Sequence, residues 1–264
     1  MPIYVNGIGI VGPGFNDWPH CRAVLAGQQA YIATAIKLAP TSLPATEKRR
    51  ASSLVHLAVC AAEEAMRGAQ LEFAQAASVF ASSGSDGVTI HEICSTLASN
   101  ERDVSPTRFH NSVHNAPAGY WCIGAKSNQA STSLSCFDAT FAAGLLEAAL
   151  QAEVERTPIL LAAYDQRYPS PLYEVRPVLA SFGVALVLCR DRSTGSRAAL
   201  DLEWVVNSEE ETRMTQPALE ALRLGNPAAR ALPLLDLFAR GVSGRIVLNA
   251  AGTQQLVIKV TPCV

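Results

Sequence analysis

The chain has 264 residues, of which 49% are hydrophobic and 17% charged, and its formal net charge is −2. Such a chain buries a sizeable core as one large α/β domain or two small ones, and the composition excludes intrinsic disorder. Lys and Arg are scattered rather than gathered into a basic stripe, so no nucleic-acid partner is expected.

The opening MPIYVNGIGIVGPG has no basic segment or apolar run of signal-peptide type. Nowhere does an apolar run approach the ~18–20 residues of a membrane helix, so no membrane association and a cytoplasmic location are expected. Residues 3–11, IYVNGIGIV, alternate and are rich in Ile and Val, which predicts a strand. Asn16 or Asp17 is placed to cap a helix over WPHCRAVLAG, ended by Gly27. The glycines of GIGIVGPG faintly suggest a dinucleotide loop, but Pro13 breaks the helix start and no acidic residue ends a second strand at the required place.

A proline-punctuated connection over 28–46 leads into EKRRASSLVHLAVCAAEEAMRGAQL, which carries apolar residues at helical spacing. Leu54, Leu57, Ala58, Ala61 and Ala65 share one face, small enough to lie close against a sheet. ASVFASSG (77–84) predicts a buried strand with a glycine turn, followed by a helix around 87–99. Ser112 to Gly124 predicts a helix with Pro117 in its first turns. STSLS (131–135) predicts a strand and FDATFAAGLLEAAL an apolar helix. PILLAAYD (158–165) and SFGVALVLC (181–189) predict two more strands, and AALDLEWVV is expected to extend the second as a hairpin across RDRSTGSR. Helices near 216–224 and 231–240 precede a terminal hairpin of GRIVLNA and QQLVIKV, turning at Ala251-Gly252-Thr253. With no repeat and no low-complexity segment, the expectation is one domain over 1–264: an α/β layered fold around a mixed sheet of five or more strands.

Seven cysteines without CxxC spacing argue against a disulfide framework or a zinc site, and no metal or cofactor is expected. Cys136 stands apart because it follows a strand and opens a helix. There, unpaired backbone N–H groups and the helix dipole favour a thiolate, and the same N–H groups can donate to an oxyanion formed on a thioester carbonyl. The alternative is a small residue at a crowded junction. Asp138 opposes thiolate formation by like charge. His110 and His114 precede Cys136 in a segment able to fold near it, and a Cys136–His114 pair would activate the thiol. His20, His56 and His91 fit structural or surface roles. The serines around Cys136 form no GxSxG elbow, which sets a serine hydrolase aside.

These residues resemble the β-ketoacyl synthase family. STSLSC followed by FDATFAAG places Gly144 eight positions after Cys136, as in the family's nucleophile helix. VNGIGIVGPGFNDWPHCRAVLAGQ resembles its opening strand and helix, RRASSLVHLAVCAAEEAM its long helix, VFASSGSDG its second strand and SFGVALVLC the strand that closes its N-terminal half. The ketosynthase-like core spans 1–190, and 191–264 supplies C-terminal helices and a hairpin. SPTRFHNSVHNAPAG, PLYEVRPVLASFGVALVL and ALPLLDLFARG resemble a shorter, chain-length-factor-like branch.

The resemblance implies a thiolase-like fold with a buried helix after Cys136, which stands at the acyl-accepting position. It implies a subunit that pairs with a full-length ketosynthase in a type II fatty-acid or polyketide pathway, aryl polyene pigments among the products, with acyl carrier protein as a further partner. Segments 109–122 and 128–135 would build the interface. Phe109, Tyr120, Trp121 and Phe137 are candidates to line the acyl tunnel, with core packing as the alternative. The family's two catalytic histidines lie in glycine-rich C-terminal motifs with no counterpart here, where the last histidine is His114. Two alternatives follow: a Cys136-dependent acyltransferase or small β-ketoacyl synthase, and a homodimer that binds acyl chains or carrier protein.

Overall fold

The computed structural model describes residues 2–100, 102–206, 209–250 and 252–263. Strand β1 (Ile3–Val11) enters the centre of the molecule, and α1 (Trp18–Leu25) follows it. The Asp17 carboxylate caps α1 by accepting the His20 N–H at 2.8 Å, while Gly27 takes φ +74° to turn the chain away. The long helix expected from residue 47 is broken in two: α2 (Ala45–Arg50) and α3 (Ser53–Gly68). Ser52 causes the break by capping α3 through the Val55 N–H.

β2 (Ala77–Ala81) leads to α4 (Gly87–Ala98), capped by Asp86. A short helix not foreseen, α5 (Pro106–Asn111), precedes the helix expected over 112–124, which starts four residues later as α6 (Ala116–Ala125); each has a proline in its first turn, where no N–H is missed. β3 (Ser131–Leu134), α7 (Thr140–Glu155), β4 (Ile159–Asp165), the single turn α8 (Leu172–Val175) and β5 (Phe182–Cys189) complete the first part of the chain. β6 (Ala198–Val206), α9 (Pro217–Gly225), α10 (Leu232–Arg240), β7 (Gly244–Asn249) and β8 (Gln254–Pro262) follow. The turn between β7 and β8 has Gly252 at φ +64°, as a hairpin requires; Ala251 lies outside the described residues.

Among the described residues eight strands form one sheet, in the order β3-β2-β4-β5-β1-β6-β8-β7. β2 runs parallel to β3 and β4, and the remaining pairs are antiparallel. β6 does not form the expected hairpin with β5. Both edges of β5 are occupied, by β4 and β1, so β6 pairs instead with β1 and β8.

Helices cover both faces. One core cluster joins α1, α7, α9 and α10 to the sheet, and a second places α3 and α6 on the opposite face. The predicted apolar face of α3 is buried throughout. Gly7 and Gly9 of β1 make this contact possible, because a Cβ on either would overlap the carbonyl oxygen of Ala65 or Ala61. α7 packs Phe141, Ala142, Gly144, Leu145, Ala148 and Ala149 inward and leaves Leu150 and Val154 exposed.

Candidate functional site

Parallel strands bring their C-terminal ends together. β2 ends before Ser82 and Ser83, β3 before Ser135 and Cys136, and β4 at Asp165, so all of these gather at one edge of the sheet. Ser135 Oγ donates to the Ser83 carbonyl at 2.9 Å, tying the Cys136 loop to the end of β2. His114, between α5 and α6, donates from Nε2 to the Ser82 carbonyl at 3.1 Å. A carbonyl only accepts, so Nε2 carries the proton of this bond.

The helix expected to open directly at Cys136 begins four residues later. Cys136 has φ −144° and ψ 41°, and residues Phe137–Ala139 make a 3₁₀ turn before α7. Phe137 is at φ +51°, a left-handed conformation costing a non-glycine residue on the order of 1–3 kcal/mol, and the residue is 61% exposed. Arg176 holds the turn in place. Its guanidinium lies 3.7 Å from the Phe137 ring centroid and donates to Asp138 Oδ1 at 2.7 Å. Thr140 closes the turn from inside, accepting the Cys136 N–H at 2.9 Å and donating to the Phe137 carbonyl at 2.7 Å. The Cys136 N–H expected to face an oxyanion is therefore committed within its own turn.

Asp165 is 1% exposed and accepts at Oδ1 from the Ser82 hydroxyl (3.1 Å), the Ser83 N–H (2.8 Å) and the Ser83 hydroxyl (2.8 Å). Burial pushes its carboxyl up to about 7, against the opposing pull of the serine donors and Arg176. Its Oδ2 is buried without a partner. Nearby, Asp86 Oδ1 accepts from Gln166 Nε2 at 2.9 Å, and Gln166 Oε1 accepts from the Ser53 hydroxyl at 2.9 Å.

Among the candidates read from sequence, Phe137 is next to Cys136 and His114 sits at the same strand end. Phe109 is on the exterior of α5, 68% exposed. Tyr120 and Trp121 are almost fully buried in the cluster beneath α3, with Trp121 5.4 Å from Phe73, so their rings pack the core. Sequence reasoning missed Thr140, Arg176 and Asp165. Asp165 had a signal, since it ends a strand parallel to the one that ends before Cys136. Arg176 had none, because its loop is placed only by tertiary packing. Among the described residues no group of three or more His, Cys, Asp or Glu is arranged to hold a metal ion, and no helix is long and apolar enough to cross a membrane.

Residues 17–231 match the family described as β-ketoacyl synthase, N-terminal domain. Among solved structures, a ketosynthase in complex with its chain length factor from Xenorhabdus doucetiae is 23% identical, with a TM-score of 0.75; the match covers 98% of this chain and 99% of that one. The ishigamide ketosynthase/chain length factor gives the same TM-score at 11% identity, covering 100% of both chains. 3-Oxoacyl-(acyl carrier protein) synthase III from Pseudomonas aeruginosa gives 0.53 at 16% identity, covering 100% of this chain and 99% of that one. Comparison with curated protein sequences gives no match. The fold is the thiolase-like layered fold of the ketosynthases, and with four-fifths of its length matched the chain belongs to the β-ketoacyl synthase N-terminal domain family.

Proposed function

We propose that this chain is a chain-length-factor-like subunit that pairs with a full-length β-ketoacyl synthase in a type II fatty-acid or polyketide pathway, such as one making aryl polyene pigments. The observation that carries this reading is β3. It is the edge of the sheet, it lies immediately before Cys136, and it is only four residues long. The Ser78 N–H bonds Ala130 and the Ser82 N–H bonds Leu134, so alternation along β3 turns the backbone groups of Ser131 and Ser133 outward. An open strand edge invites pairing with another chain. Phe109 and Val113 expose apolar side chains within the segment 109–122 expected at the interface, and Ile123 does so just beyond it.

The committed Cys136 N–H supports a partner that does not itself condense. In this reading the full synthase supplies the catalytic histidines and acyl carrier protein delivers the chain. Phe137 and Phe109 limit its length where they face the partner, and the pair works in the cytoplasm. We treat 1–264 as one domain, because β1 joins β5 and β6 in a single sheet.

Co-expression with a neighbouring full-length synthase tests the pairing. One co-eluting species on size exclusion is expected; two separate species defeat the reading. The second reading, a Cys136-dependent acyltransferase, draws on His114 at the same strand end.

A further inference from the structure

The turn bearing Cys136 satisfies its own backbone. Thr140 is 1% exposed, so its hydroxyl is fixed between the Cys136 N–H it accepts and the Phe137 carbonyl to which it donates. The stack of Arg176 on Phe137 and its ion pair with Asp138 hold the same turn from outside. We propose that Thr140 is a positioning residue that withholds the Cys136 N–H from an acyl oxyanion, leaving the thiol open to alkylation but closed to acylation by thioesters. This rests on reading Cys136 as standing at the family's acyl-accepting position.

The chemistry separates the two reactions. In acylation the Cys136 thiolate forms a bond to the thioester carbonyl carbon, and the carbonyl π pair moves onto oxygen as an oxyanion. Collapse expels the donor thiolate, which takes up the proton that Cys136 gave to solvent. The oxyanion needs N–H donors already in place. Alkylation by iodoacetamide forms a C–S bond and releases iodide with no oxyanion, so it needs only the thiolate and access. The ratio of the two rates therefore cancels any change in the thiol's own reactivity.

The full-length chain is treated with hexanoyl-N-acetylcysteamine or iodoacetamide, and adducts at Cys136 are followed by peptide mass spectrometry. Wild type is expected to give an acylation-to-alkylation ratio no higher than that of free N-acetylcysteine. Thr140→Ala is expected to raise the ratio at least about 10-fold, since one oxyanion donor changes rates by about 10²–10³. Thr140→Ser, which keeps the hydroxyl, is expected to stay at the wild-type ratio. A wild-type ratio about 10-fold or more above N-acetylcysteine overturns the proposal, on the same donor scale, whatever the variants do. So does an unchanged ratio in a natively folded Thr140→Ala. Pairing with a synthase is read independently by co-elution, so either idea can fail alone.

Discussion

Glu63 and Glu64 are neighbours on α3 whose carboxyls are shifted in opposite directions. Glu63 accepts from the Thr41 and Ser42 N–H groups, the Thr41 hydroxyl and Arg67, and these donors outweigh burial and hold it below the ordinary range. Glu64 accepts the N–H groups of Ile10 and Trp18, joining β1 to α1, but burial dominates and pushes it up to about 7. Asp165 is pushed to about 7 for the same reason. For both groups the folded state holds its proton more tightly than the unfolded state. Their contribution is fully present below the ordinary carboxylate range and is lost as pH rises through about 7. Urea midpoints are thus expected to fall between pH 5 and pH 8, and Asp165→Asn should flatten the slope. Asn is well suited, because its amide nitrogen can replace the unpartnered Oδ2. An Asp165→Asn variant with the full wild-type slope would show that this carboxyl does not titrate in that window.

At the scale of elements, β1 and α3 are the joint on which the fold depends. The sequence marks both: alternating Ile and Val around two glycines, and a helix whose inward face is largely alanine. Their close approach follows, since each glycine sits under a helix carbonyl. Gly9→Ala is expected to lower stability by at least about 2 kcal/mol, because a backbone carbonyl cannot yield as a side chain would. Chemical denaturation measures it, and a change near zero would mean that α3 can shift outward without loss. Every strand was legible because each is an apolar or alternating run bounded by turn residues. The partner of β6 was not, since pairing depends on which sheet edges are already occupied. The delayed start of α7 was hidden too: FDAT reads as a good helix opening, whereas the bond from the Cys136 N–H to Thr140 and the left-handed Phe137 are set by the tertiary site.

At the scale of the whole molecule, the sheet has two unlike edges. β7 closes one end as half of a tight hairpin with β8, while β3 leaves Ser131 and Ser133 facing outward beside Cys136. The address of the cysteine was readable in the sequence from the strand-then-helix pattern around it. The commitment of its N–H was not, and it adds to the partner-subunit reading that the sequence already favoured. The most direct measurement of that account is amide hydrogen exchange over residues 128–135, with and without the full-length synthase. Pairing along β3 predicts strong protection of the Ser131 and Ser133 amides in the mixture, and loss of the Ser131 protection in Ser133→Pro. Unchanged exchange at those amides in the presence of the synthase would contradict it.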